Sequence, residues 1–182
     1  MKVFANFIAF QIGWFSCILG AANDLPWIGP LVCLVLVTIH LKMADFPQRE
    51  LQLILSAIGV GAFLDSLFVM NGWLDYPNGI LLTGTAPYWI VSLWAIFAST
   101  LNVSMNWLHG KYFIAAVFGG VGGPLSYLAG ARLGAVHIVD PIPAVMALGV
   151  GWGLAMPLLI FLAEKFSGSA GPDINTLEHA DA

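Results

Sequence analysis

The most constraining feature of this chain is the recurrence of long apolar runs. Six times it continues for about 20 residues with little or no charge, the length that carries a helix across roughly 30 Å of hydrocarbon. The runs lie near 4–22, 27–43, 51–71, 87–108, 112–133 and 142–163. Of the 182 residues, 59% are hydrophobic and 9% are charged, whereas soluble domains carry about 25% charged residues. Too little polar surface exists to cover so much apolar surface, so lipid is the expected solvent. In lipid each segment must satisfy its own backbone hydrogen bonds, which makes the runs helices. The expected class is therefore an all-α membrane protein: a six-helix transmembrane bundle over residues 1–165. A disordered polar tail is expected over 166–182, "FSGSAGPDINTLEHADA". The net charge is −4 and no basic stripe exists, so nucleic acid is not an expected partner.

Orientation follows from the basic residues. With the N-terminus cytoplasmic, Lys2, Lys42, Arg49, Lys111 and Lys165 all fall on the inner side, and only Arg132 falls outside. Both termini are then cytoplasmic, in a multi-pass protein whose outer loops carry Asp24, Asp75 and Asp140. The first run contains Gln11 and Trp14, which reads as a retained helix rather than a cleaved signal peptide. Trp27, Trp73, Trp89 and Trp107 lie near span ends, where Trp anchors in the headgroup belt. Cys17 and Cys33 lie inside apolar runs and give no disulfide framework.

Polar residues inside the spans are the candidate sites. Asp65 lies roughly 21 Å along the third run from Leu51, in its outer third. A central Asp costs about 2.5–3.5 kcal/mol on insertion scales unless it is paired. Arg132, which ends the fifth run at comparable depth, is the natural partner. The pair would either lock two helices together or grip an anionic headgroup. In the fourth run Ser92, Ser99, Asn102 and Asn106 share one helical face, which His109 continues. Asn102, Asn106 and His109, with His40 and Gln52 at the same inner level, form a candidate inner polar cluster. No HxxxH or ExxH spacing accompanies these residues, so neither a metal nor another cofactor is expected.

Small residues mark the remaining features. Ala5, Ala9 and Gly13 recur every four residues on the first run, a packing face that could also dock another membrane protein. The fifth run carries "FGGVGGPLSYLAGARLGA", including Gly119-x-x-x-Gly123, Gly130-x-x-x-Gly134 and Pro124. Such a stretch is expected either to pack closely or to break the helix beside a cavity.

Four stretches together resemble a bacterial family of integral inner-membrane proteins, domain of unknown function 2878. They are "FQIGWFSCILGAA", "FLDSLFVMNGWLDYP", "PYWIVSLWAIFASTLNVSMNWL" and "GGVGGPLSYLAGARLGAV". The resemblance covers about residues 7–165. Its matching positions are Asp65, Trp94, Asn102, Ser104 and Trp107, with the string that holds Tyr127 and ends near Arg132. Family members often carry His where this chain has Val103, a departure that weakens any metal role for the fourth segment. The resemblance implies the bacterial inner membrane. Through neighbouring genes for cyclopropane-fatty-acid-synthase-like enzymes, it also implies a role in envelope lipid metabolism.

Three functions compete. In the first the protein binds a lipid or small molecule, with membrane lipids as partners. Arg132 takes a phosphate, Asp65 orients it, Trp94 and the glycines shape an acyl groove, and Asn102, Asn106 and Tyr127 are further candidate contacts. The second is the substrate-binding subunit of a small-molecule transporter, and the third is a ligand-free membrane scaffold. Enzymatic activity is disfavoured because no nucleophile elbow, HExxH or paired carboxylate motif occurs.

Overall fold

The computed structural model describes residues 2–167. Six α-helices follow one another: α1 Lys2–Ala22, α2 Ile28–Met43, α3 Pro47–Met70, α4 Tyr88–Leu101, α5 Tyr112–Arg132 and α6 Pro141–Phe166. A 3₁₀ turn, Asn106–Leu108, follows α4. Two short strands, β1 Leu74–Asp75 and β2 His137–Ile138, pair antiparallel with Leu74 opposite Ile138. Four helices, α1, α3, α5 and α6, are long and apolar enough to cross a membrane. Apart from Phe166 and Ser167, the expected tail lies outside the described residues; Phe166 itself still belongs to α6.

α4 is the central helix, packed against α1, α2 and α3 and, less extensively, α6. Trp89, Trp94, Ile96, Ala98 and the whole last turn Ser99–Leu101 are buried. The helix ends at Leu101, seven residues earlier than its apolar run suggests, where side chains from other segments take up its carbonyls. Asn6 of α1 donates from Nδ2 to the Ser99 carbonyl, while its Oδ1 accepts from the Ser104 N–H. The His109 ring bonds the Leu101 carbonyl. The Ser99 and Leu101 carbonyls are thus met by side chains, and the Thr100 carbonyl by the Val103 and Met105 N–H groups of the turn that follows.

The glycine-rich α5 does not break. It is helical from Tyr112 to Arg132 through Pro124. Pro124 deprives the Gly120 carbonyl of its i+4 donor. That oxygen faces Gly149 of α6, where an added Cβ would sit 3.4 Å from it, so the two backbones approach closely. Gly119 and Gly123 complete the contact: a Cβ at Gly123 would lie 2.3 Å from Trp152 Cγ. Close packing is therefore the role of this stretch along α6. The ridge on α1 likewise turns inward at its far end, where Gly13 packs on Ile96 and Cys33; Ala9 is half-buried and Ala5 exposed. α1 also meets α2 through Gly29, and the free Cys17 and Cys33 thiols lie 3.6 Å apart.

The segment between α3 and α4 folds as a cap over the strand end of the bundle. Asn78 donates to the Ala21 carbonyl, and the Trp89 indole donates to the Asn78 carbonyl. Gly79 has φ +84, and a Cβ there would strike the Trp89 ring, so only glycine serves. Trp89 is accordingly a core residue rather than an interfacial anchor, whereas Trp27 and Trp107 are about half exposed.

Gly123→Leu should destabilise the protein by about 1–3 kcal/mol through overpacking. Gly122→Leu should be neutral or slightly stabilising, because nothing lies within 4 Å of the new Cβ. Thermal unfolding of both variants in detergent checks the contrast.

Candidate functional site

Asp65 is fully buried in α3. It accepts from Tyr127 Oη at 2.5 Å and Tyr76 Oη at 3.3 Å on Oδ1, and from Trp94 Nε1 at 2.7 Å on Oδ2. The donors come from α5, the cap and α4. Each has a local reason for its position. Gly61, one turn before Asp65, leaves the flat surface on which the Trp94 indole lies; a Cβ there would be 2.1 Å from the ring. Tyr76 is brought down by the folded cap, edge-on to Trp89. Tyr127 lies one turn after Gly123 on the α5 face that turns into the bundle.

The expected Asp65–Arg132 ion pair does not form. Arg132 is exposed in the last turn of α5, and among the described residues it makes no salt bridge. Neutral hydroxyl and indole donors satisfy the carboxylate, so no cation needs to be buried with it.

The inner polar cluster is smaller than expected and has a different centre. Glu50, in the first turn of α3, bonds His40 of α2 at 3.0 Å and accepts from Asn102 Nδ2 at 2.7 Å. Gln52 and Asn106 are exposed and stay outside it, and His109 serves the end of α4 instead. Glu50 lies one residue before the apolar run that begins at Leu51, so the run does not point to it. Pro47 at the start of the helix, followed by an acid in the first turn, is the start signal that marks it.

A cavity of about 340 Å³ lies between α1, α4, α5 and α6. Glycines of α5, among them Gly119, Gly122 and Gly123, form one wall; aromatic and aliphatic side chains form most of the rest, with Gln11 and Ser126 as polar members. Trp94 and Trp152 stack at 4.4 Å with 14° between their planes, and Phe97 meets Trp152 edge-on. Among the described residues, no charged side chain lines the cavity. The cavity extends along α1 from Phe7 to Ile18, about 16 Å at the helical rise. Across its mouth Trp14 Nε1 of α1 donates to Ser126 Oγ of α5 at 3.1 Å. Of the residues proposed from sequence, Trp94 and Tyr127 line the cavity, and Asp65 bonds both from behind; Arg132, Asn102 and Asn106 are elsewhere.

The described architecture is all-helical, and four of its helices are long and apolar enough to cross a membrane, which places the chain in the integral-membrane class. The chain matches the family described as protein of unknown function (DUF2878) over residues 3–158, and it belongs to that family. No curated protein and no solved structure matches it.

Asp65→Ala should strand three buried donors, each costing about 1–3 kcal/mol, and should lower stability by more than about 3 kcal/mol. Tyr127→Phe should cost about 1 kcal/mol. Arg132→Gln should change stability by less than about 0.5 kcal/mol, as a surface substitution does. Adding Arg132→Gln to Asp65→Asn should restore nothing. Denaturant unfolding in mixed micelles, followed by Trp fluorescence, measures all four.

Proposed function

We propose that this chain is a six-span protein of the bacterial inner membrane, with both termini cytoplasmic, that binds an uncharged, lipid-soluble molecule in the cavity beside α5. Six spans fit the outward faces: Phe4, Leu34, Phe113, Ile142 and Leu154 are each more than 60% exposed. Exposed apolar surface on that scale belongs in lipid or at an interface. α2 and α4, of 16 and 14 residues, cross with the longer helices because loops and the cap complete their ends. Five of the six basic residues then face the cytoplasm.

The single observation that carries the binding reading is the cavity itself. Ligand sites are mostly apolar and aromatic, span about 300–1,000 Å³ and contain a few polar groups. This one fits that description. Its lining lacks a cation, so a headgroup phosphate is not what it holds, and Arg132 lies apart from it. Trp94 and the α5 glycines line the cavity, which supports a site between α1 and α5 that a molecule dissolved in the bilayer enters from the side. This agrees with a role in envelope lipid metabolism.

The test is mass spectrometry of the molecules retained with the protein in native-lipid discs, beside Gly122→Leu. Leucine at 122 enters open space and fills the cavity. A species enriched over the surrounding lipid should fall about tenfold or more in the variant. Equal recovery from both proteins would count against a binding cavity.

A further inference from the structure

Gln11 is unexplained by a purely apolar cavity. It sits midway along α1, half-buried, and its side chain lines the cavity. A primary amide offers two donors and an acceptor with two lone pairs. Among the described residues, Gln11 makes no side-chain hydrogen bond. Its neighbours on the same helix face, Phe7, Phe10 and Trp14, are aromatic, and Trp14 is already committed to Ser126. A polar group facing apolar walls without a partner is costly. A wall shaped only for a hydrocarbon chain would be better served by Leu or Met. On α6, Trp152 also borders the cavity, and its buried indole N–H makes no well-formed hydrogen bond, the Tyr127 hydroxyl being the polar group beside it. Asp65 is not available to either group, since three donors already occupy it.

We infer that the cavity selects a neutral molecule carrying a hydroxyl or carbonyl oxygen on an apolar frame, and that Gln11 is the side chain that pairs with that oxygen. The inference rests on the cavity being a binding site. The chemistry excludes the neighbouring classes. A carboxylate or phosphate would enter a lining with no cation. A bare hydrocarbon would leave the amide unmet. An oxygen that both donates and accepts, or a carbonyl that only accepts, is matched by an amide at mid-depth of the helix.

The experiment uses two brominated probes of equal chain length, an alkane and an alkan-1-ol, added to the full-length protein in lipid nanodiscs. Bromine quenches Trp fluorescence on contact, and Trp14, Trp94 and Trp152 line the cavity. Wild type should bind the alcohol roughly fivefold more tightly than the alkane, the factor one net hydrogen bond supplies. Gln11→Leu, and Gln11→Met as a second apolar replacement, should bind both probes equally while retaining the alkane. Gly122→Leu should lose the saturable quenching by both. Equal binding of the two probes by wild type, or a preference that survives in both Gln11 variants, would overturn the role of Gln11 and leave the cavity standing. Saturable quenching unchanged by Gly122→Leu would overturn the cavity reading and this inference together.

Discussion

The Asp65 carboxylate is the interaction on which the centre of this structure depends. It ties α3 to α4 through Trp94, to α5 through Tyr127 and to the cap through Tyr76. α3 and α5 have no extensive contact of their own, so the Tyr127 bond spans what packing does not. An acid is well suited to this task. Two oxygens offer about four lone-pair positions, enough to gather donors from three directions on one side chain. Each donor is neutral and brings a large apolar body. The polar contact therefore sits inside an aromatic shell, and water has little access to compete for it.

The same residues build the cavity. Trp94 holds Asp65 with its N–H and stacks its ring on Trp152. Tyr127 does likewise with its hydroxyl and its ring, which lines the cavity wall. The opposite surface is glycine, for a separate reason. Gly119 and Gly123 must be small to admit Trp152 and Met156 of α6. Gly122, one position off that contact, faces open space. A close helix–helix contact on one face of α5 and a void beside it thus arise from one run of glycines.

Much of the fold was legible because burial in lipid imposes one strong rule, the length of an apolar run. α1, α2, α5 and α6 begin and end within a few residues of the expected limits. α4 was overextended, since an apolar run does not distinguish a helix from the turns that cap it. By spacing alone Asn102 and Asn106 continue the helical stripe of Ser92 and Ser99, although such residues also end helices, and α4 stops at Leu101. At Asp65, the need for partners was legible and their identity was not. A search for opposite charge finds Arg132. Neutral donors from an aromatic-rich sequence have no comparable signature, and Tyr76 comes from a loop whose path depends on Asn78, Gly79 and Trp89.

Glu50 and Asp65 show how position changes the meaning of one chemical group. Glu50 stands in the first turn of α3, where a carboxylate favours the helix dipole, and it bonds a histidine and an amide. Asp65 stands more than a turn before the other end of α3, fully buried, and hydroxyl and indole donors replace the water it has lost. Each acid joins α3 to other segments at one end of the bundle: α2 and the α4 terminus in one case, α4, α5 and the cap in the other. Between the two levels α3 is almost entirely apolar. The polar ties therefore fix the ends of α3, and shape-matched contacts such as Gly61 on Trp94 fix its middle.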